Sequence, residues 1–119
     1  MRVLYVDDEP DIREIAEMAL SLDSDFEVRT ASSGMEALDI IEQWPPDVAL
    51  FDVMMPEMDG PSLLSHVRQT GLMAAFPVIF VTARAQRSDM QNFATLDAVG
   101  VIAKPFDPMT LAQRVREFL

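Results

Sequence analysis

The chain contains no cysteine. Disulfides and thiolate-ligated metals are therefore excluded as sources of stability or chemistry. No apolar run approaches the roughly 18 residues of a membrane span, and the N-terminus lacks a signal-peptide pattern. Membrane insertion is not expected, and a cytoplasmic setting is. Positive charge is scarce: 9 basic residues stand against 20 acidic ones, for a net charge of -11. Such a surface repels nucleic acid and anionic lipid, so direct nucleic-acid binding is not expected. There is no P-loop and no glycine-rich dinucleotide fingerprint, which argues against a nucleotide-binding enzyme. Internal repeats, low-complexity stretches and linkers are also missing. At 119 residues, 50% of them hydrophobic, the chain is too apolar for disorder and long enough to bury a core. One domain over residues 1–119 is expected.

What is present is an alternation of short apolar runs and helical patterns, repeated five times. Val3-Leu4-Tyr5-Val6 reads as a strand buried on both faces. Pro10 suits a first helical turn, with Ile12, Ile15, Ala16, Ala19 and Leu22 on the inward face. Phe26 to Thr30 alternates as an edge strand should. Ser33 and Glu36 form a capping box for a second helix that carries Ala37, Leu38 and Ile41 inward, and Pro45-Pro46 ends it. Val48 to Phe51 is the third strand, and a third helix carries Leu63, Leu64 and Val67 before Gly71. Val78 to Val81 is the fourth strand, Ser88 with Gln91 opens a short fourth helix, and Val99 to Ala103 is the fifth strand. Asp107 caps a last helix with Pro108 in its first turn and Leu111, Val115 and Phe118 inward. Five strand–helix units imply an α/β domain with a mostly parallel sheet. Four apolar strands and one alternating strand fit the order 2-1-3-4-5 of doubly wound sheets.

Ligands of open α/β sheets bind beyond the carboxyl ends of the strands. Those ends carry Asp7-Asp8-Glu9, Asp52, Thr82 and Lys104 on strands that are neighbours in the proposed order. Singly, each has an ordinary explanation: a helix cap, a strand residue, a solvated lysine. Together, three aspartates, a hydroxyl and an ammonium at adjacent strand ends are hard to place by chance. Two like charges 4 Å apart repel by about 4 kcal/mol at an effective dielectric near 20. One ammonium cannot balance three carboxylates. A hard divalent ion sharing a phosphate oxygen is the natural complement, and Mg2+ takes one or two carboxylates while keeping several waters.

At Val6-Asp7-Asp8-Glu9-Pro10, Phe51 to Gly60, Val81-Thr82-Ala83 and Lys104-Pro105-Phe106, the chain resembles the receiver domains of bacterial two-component response regulators. The resemblance covers the whole chain. It implies a flavodoxin-like three-layer fold with five helices. Asp52 resembles the phosphoacceptor, a carboxylate nucleophile that forms an acyl phosphate. Asp8, Asp52 and the Met54 carbonyl resemble direct ligands of Mg2+, with Mn2+ or Ca2+ as substitutes, and Asp7 resembles a ligand through water. Lys104 resembles the ammonium that pairs with the phosphoryl oxygens, Thr82 the hydroxyl that moves to bond them, and Ala83 the small residue that leaves the pocket open. A cis Lys104–Pro105 bond is implied. So are a histidine kinase or histidine phosphotransfer protein as donor, and a downstream protein target reading the face of the fourth helix, fifth strand and fifth helix. The domain would be a switch rather than a turnover enzyme.

Two departures stand out. Val101 occupies the position, three before Lys104, where the family often has Tyr or Phe. Met54 and Arg84 occupy the positions that tune acyl-phosphate lifetime, and neither is the common acid or amide. Other readings fare less well. A flavin carrier needs a Gly-, Ser- or Thr-rich loop after strand 1, and here that loop is acidic. A haloacid-type phosphohydrolase needs an aspartate where Met54 stands. A phosphorylation-independent interaction module would not need the intact acidic set. His66 and Trp44 read as surface and packing residues, and the methionines near Asp52 as irregular filler. No output domain is expected within these residues.

Overall fold

The computed structural model describes residues 1–70, 76–83 and 98–119. Its strands form because β-branched and aromatic residues are bounded by polar turns. They are β1 (Arg2–Val6), β2 (Glu27–Ala31), β3 (Val48–Asp52), β4 (Val78–Thr82) and β5 (Gly100–Ala103). All pair in parallel, in the order β2-β1-β3-β4-β5. The helices among the described residues are α1 (Pro10–Leu20), α2 (Gly34–Gln43), α3 (Gly60–Thr70) and a C-terminal α4 (Leu111–Glu117). The helix expected from Ser88 onward, and the break expected at Gly71, lie outside the described residues.

Strand periodicity divides the core in two. Leu4, Val6, Ala49, Phe51, Val78 and Phe80 pack against Ala37 and Ile41 of α2 and Leu63, Leu64 and Val67 of α3. Val3, Tyr5, Val48, Leu50, Ile79, Val81 and Ile102 pack on the other face against Ala16, Ala19 and Leu20 of α1 and Leu111 and Val115 of α4. Each fully buried Leu, Val, Ile or Phe of these layers contributes about 1.5–3 kcal/mol. The central strands β3 and β4 are buried throughout, whereas β2 alternates, as an edge strand packed on one face does.

Several local expectations are corrected. Ile15 and Leu22 do not face inward; they are 43% and 64% exposed. Alpha1 instead seats the small Ala16 and Ala19 with Leu20 against the sheet, so its apolar stripe is narrower than the sequence pattern suggests. Glu9 stands at the N-cap without a side-chain cap bond, and Pro10 supplies the preset first turn. Ser33 Oγ does accept the Glu36 N–H, at 3.1 Å. The Glu36 carboxylate, however, turns to Ser32, accepting from its hydroxyl at 2.9 Å. Phe26 is buried but precedes β2, and Val99 is exposed and precedes β5. Asp107 does not cap α4: its carboxylate accepts the Met109 N–H at 2.9 Å in a separate turn, and Thr110 holds the N-cap. Phe118 follows α4 and packs on Gly100 so closely that any Cβ there would clash with its ring.

Candidate functional site

The same alternation that builds the core assembles the site. In β1, Tyr5 points to the α1 side, and the chain continues extended, so Asp7 follows on that side. Leu50 and Asp52 repeat this relation in β3, and Ile102 and Lys104 repeat it after β5. The register pairs Tyr5 with Leu50 and Val6 with Phe51, which brings Asp7 beside Asp52. Val81 and Thr82 pair with Ile102 and Ala103, and the Lys104 N–H donates to the Thr82 carbonyl at 2.8 Å. This bond fixes the Lys104 backbone beside the end of β4, from where its side chain reaches the acids that follow β1 and end β3.

One carboxylate oxygen from each of Asp7, Asp8 and Asp52 lies within 4.8 Å of the others. Asp7 has no solvent exposure and Asp52 only 4%. The Lys104 ammonium lies 2.8 Å from Asp7 Oδ2 and 3.3 Å from Asp52 Oδ1. Asp7 Oδ2 also accepts the Tyr5 hydroxyl at 2.9 Å, and Asp7 Oδ1 accepts the Glu9 N–H at 3.0 Å. The Met54 N–H donates to Asp52 Oδ1 at 3.3 Å. Among the described residues, nothing donates to the Asp8 carboxylate.

These surroundings set the charges. Burial, then the neighbouring negative charge of Asp7, pushes the Asp52 carboxyl up to about 6; Lys104 and the Met54 N–H only partly oppose this. Burial pulls Lys104 down, but Asp7 and Asp52 together outweigh it and the ammonium is held above its ordinary value. Burial, followed by the charge and hydrogen bond of Asp7, raises the Tyr5 phenol far above its usual range, so it stays a donor. Three hard oxygen donors around one point, two of them buried and with Lys104 the one cation in contact with their carboxylates among the described residues, fit a small divalent ion.

The loop after β3 shapes the pocket wall. Pro56 accepts the Met58 N–H at 2.8 Å around Glu57, whose φ of 69° makes this a strained γ-turn. Alpha3 then starts so close to β3 that a Cβ on Gly60 would lie 2.6 Å from the Asp52 carbonyl oxygen. Glycine is required there.

The structure thus brings Asp7, Asp8, Asp52 and Lys104 together. Thr82 sits buried at the end of β4, and Ala83 is exposed beyond it. The Met54 side chain is 61% exposed, and the Lys104–Pro105 bond is cis. Arg84 lies outside the described residues. His66 is exposed, and Trp44 is buried between Arg2 and Arg29, whose guanidinia lie 5.4 and 4.8 Å from the indole. Sequence reasoning missed Tyr5, read only as core, and Arg13, whose Nη1 donates to the Asp7 carbonyl at 2.8 Å. A hydroxyl-bearing residue two before an acid in a strand was the available signal for Tyr5.

The fold has counterparts among known proteins. Residues 3–116 match the model of the response regulator receiver domain family. Response regulator Rre1 of Synechocystis is 38% identical over 119 residues, covering 98% of this chain and 51% of that protein. Transcriptional regulatory protein DltR of Streptococcus agalactiae is 40% identical over 116 residues, covering 98% of this chain and 50% of that protein. The chain therefore spans about half the length of these curated relatives. The crystal structure of chemotaxis protein CheY4 of Vibrio cholerae superposes with a TM-score of 0.90 at 33% identity, covering 99% of this chain and 98% of that one. The receiver domain of Francisella response regulator 1452 gives 0.87 at 28% identity, covering 98% and 94%. By matched length, topology and the acid cluster beyond the strand ends, this chain belongs to the receiver domains of two-component response regulators.

Proposed function

We propose that residues 1–119 act as one phosphorylation switch with Asp52 as phosphoacceptor. The observation that carries the reading is the convergence of Asp7, Asp8 and Asp52 opposite the Lys104 ammonium. A carboxylate oxygen of Asp52 attacks the phosphorus of a phosphohistidine on a kinase or phosphotransfer protein. The P–O bond forms as the P–N bond breaks, and the imidazole keeps the electron pair and takes up a proton. Water later attacks phosphorus, releasing inorganic phosphate and restoring the carboxylate.

Asp8, Asp52 and the Met54 carbonyl would hold Mg2+ directly, and Asp7 through water. The ion, when bound, offsets charge on the transferring oxygens. Lys104 pairs with the phosphoryl oxygens from the opposite side. The Thr82 hydroxyl bonds them once they arrive, and Ala83 leaves their approach open. Met54 and Arg84 stand at the lifetime-tuning positions, and neither is an acid or amide that would orient the attacking water.

Phosphorylation adds about -1.5 to -2 charges at one point, and only groups that touch it in one state and not the other carry the signal. Thr82 is that group in this account. Val101 is half-buried against the α2–α3 side of the core and too small and stiff to swing as an aromatic would. The signal therefore leaves through displacement of the backbone after β4 and of β5, toward a downstream protein. The acidic surface makes that target a protein rather than nucleic acid or lipid. No described helix is long and apolar enough to cross a membrane, and the setting we assign is the cytoplasm.

Amide-resonance mapping with beryllofluoride and Mg2+ tests this reading. Large shifts at Asp52, Thr82, Ala83 and Gly100–Ala103 are the expected result. Shifts confined to α1 and α2 overturn the assigned route, and no beryllofluoride-dependent shift at all overturns the switch.

A further inference from the structure

The buried phenol of Tyr5 is not used by the reactions above, yet it touches their machinery at two points. Its hydroxyl donates to Asp7 Oδ2 at 2.9 Å, the same oxygen that takes the Lys104 ammonium at 2.8 Å. Its ring meets Phe106 edge-on, with centroids 6.4 Å apart, just beyond Lys104-Pro105. Tyr5 has no solvent exposure and neither has Asp7. Bulk water therefore does not reach the Asp7 carboxylate to replace a donor that leaves Oδ2; a water carried in by Mg2+ would meet Asp7 from the side of the ion. The other Asp7 oxygen is already engaged by the Glu9 N–H.

We infer that Tyr5 is a positioning residue: its hydroxyl keeps Asp7 hydrogen-bonded when the Lys104 ammonium shifts toward the phosphoryl group, and so lowers the cost of that shift. The inference rests on the phosphoacceptor reading of Asp52. In the metal-free protein, two donors share Asp7 Oδ2. Once Lys104 turns to the phosphoryl oxygens, Tyr5 is the side-chain donor left on that oxygen among the described residues. Without the hydroxyl, Lys104 must either stay with Asp7 or leave Oδ2 of a buried carboxylate with no side-chain donor among the described residues, which is the costly outcome. Alternation along β1 is what makes this possible, because residues two apart share a face.

The test uses the whole chain, Tyr5→Phe, Asp7→Asn and the double variant. Phe keeps the ring and its contact with Phe106 and removes only the donor. Two affinities are measured by calorimetry: Mg2+ alone, and beryllofluoride in saturating Mg2+. Tyr5→Phe is expected to weaken beryllofluoride binding about tenfold, the worth of one hydrogen bond to a charged group. Affinity for Mg2+ alone, which does not require Lys104 to move, changes less. The beryllofluoride loss disappears in the Asp7→Asn background. If Asp7→Asn itself abolishes beryllofluoride binding, the cycle is read on the unfolding midpoint of the metal-free protein. Tyr5→Phe must then cost less in the Asp7→Asn background than in the native sequence. Equal beryllofluoride affinity for Tyr5→Phe and the native chain, equal losses for both ligands, or a penalty unchanged by Asp7→Asn overturns the inference. If the native chain binds no beryllofluoride, the phosphoacceptor reading fails and this inference with it; a native chain that binds it while Tyr5→Phe is unaffected sinks the inference alone.

Discussion

The Lys104 ammonium lies closer to Asp7, at 2.8 Å, than to any other carboxylate among the described residues. Asp7 thus does structural work before any ligand arrives, holding Lys104, Tyr5 and the Glu9 N–H at once. Asp8, with no described donor on its carboxylate, contributes mainly repulsion to the metal-free site. The two acids should rank oppositely in two measurements. Asp7→Asn should lower the stability of the metal-free protein by about 2–3 kcal/mol, because it removes the closer of the two carboxylates on the largely buried Lys104 ammonium and leaves Tyr5 facing an amide. Asp8→Asn should leave that stability unchanged or slightly raised. Calorimetry with Mg2+ should show the larger loss of affinity for Asp8→Asn. Equal effects of the two substitutions on both quantities would count against the roles assigned to them.

The raised Asp52 carboxyl makes folding pH-dependent. Its value in the folded protein, about 6, exceeds its ordinary 3.8, so the fold favours the protonated form. The contribution is fully present below about pH 4 and is lost as the pH rises through 6. By linkage the loss amounts to about 3 kcal/mol at most. Urea melts of the metal-free chain should therefore show this component of stability falling between pH 4 and pH 7. Asp52→Asn should abolish it and be the more stable protein at pH 7. Parallel pH profiles for the two proteins would show that Asp52 does not carry the strain.

Gly60 gives a steric test. A Cβ there meets the Asp52 carbonyl oxygen at 2.6 Å and the Val53 Cα at 3.1 Å, both backbone atoms with little room to yield. Gly60→Ala should cost about 1–3 kcal/mol of stability, as overpacking does. It should also weaken Mg2+ binding, because either α3 or the end of β3 must move. Thermal unfolding and calorimetry on one preparation would check both. An unchanged midpoint with unchanged affinity would mean that the approach is looser than described.

Much of this architecture was legible in the residues. Buried strands such as Val48–Phe51 announce themselves by continuous apolarity, and edge strand β2 by alternation. The acids at Asp7, Asp8 and Asp52 were legible because strand ends are where an open sheet binds ligands. Tyr5 was not, since a fully buried aromatic in an apolar strand looks like core whether or not its hydroxyl has work to do. Ile15 and Leu22 were misplaced because helical periodicity gives a face but not its width. The small residues Ala16 and Ala19 bring α1 close to the sheet and narrow the covered stripe. Asp107 precedes proline as a cap would, yet the chain spends three residues in a turn before α4. Such choices between a cap and a turn are decided by packing that no short pattern contains.

Thr82 provides a separate test of signal output. Thr82→Ala should still bind beryllofluoride with Mg2+, since Asp52 and Lys104 are intact. The accompanying shifts at Ala83 and Gly100–Ala103 should shrink by more than half, because the hydroxyl assigned to draw the backbone inward is gone. Full-sized shifts in the variant would assign the coupling to another group.

Above all, Asp52 is assigned to take a phosphoryl group in a cation-dependent reaction. Incubation with acetyl phosphate and Mg2+, followed by intact-mass spectrometry and peptide mapping, tests this most directly. The expected result is addition of one phosphoryl group, mapped to Asp52, lost in Asp52→Asn and suppressed by chelator. Labelling that persists at the native rate in Asp52→Asn, or proceeds undiminished in chelator, would contradict it.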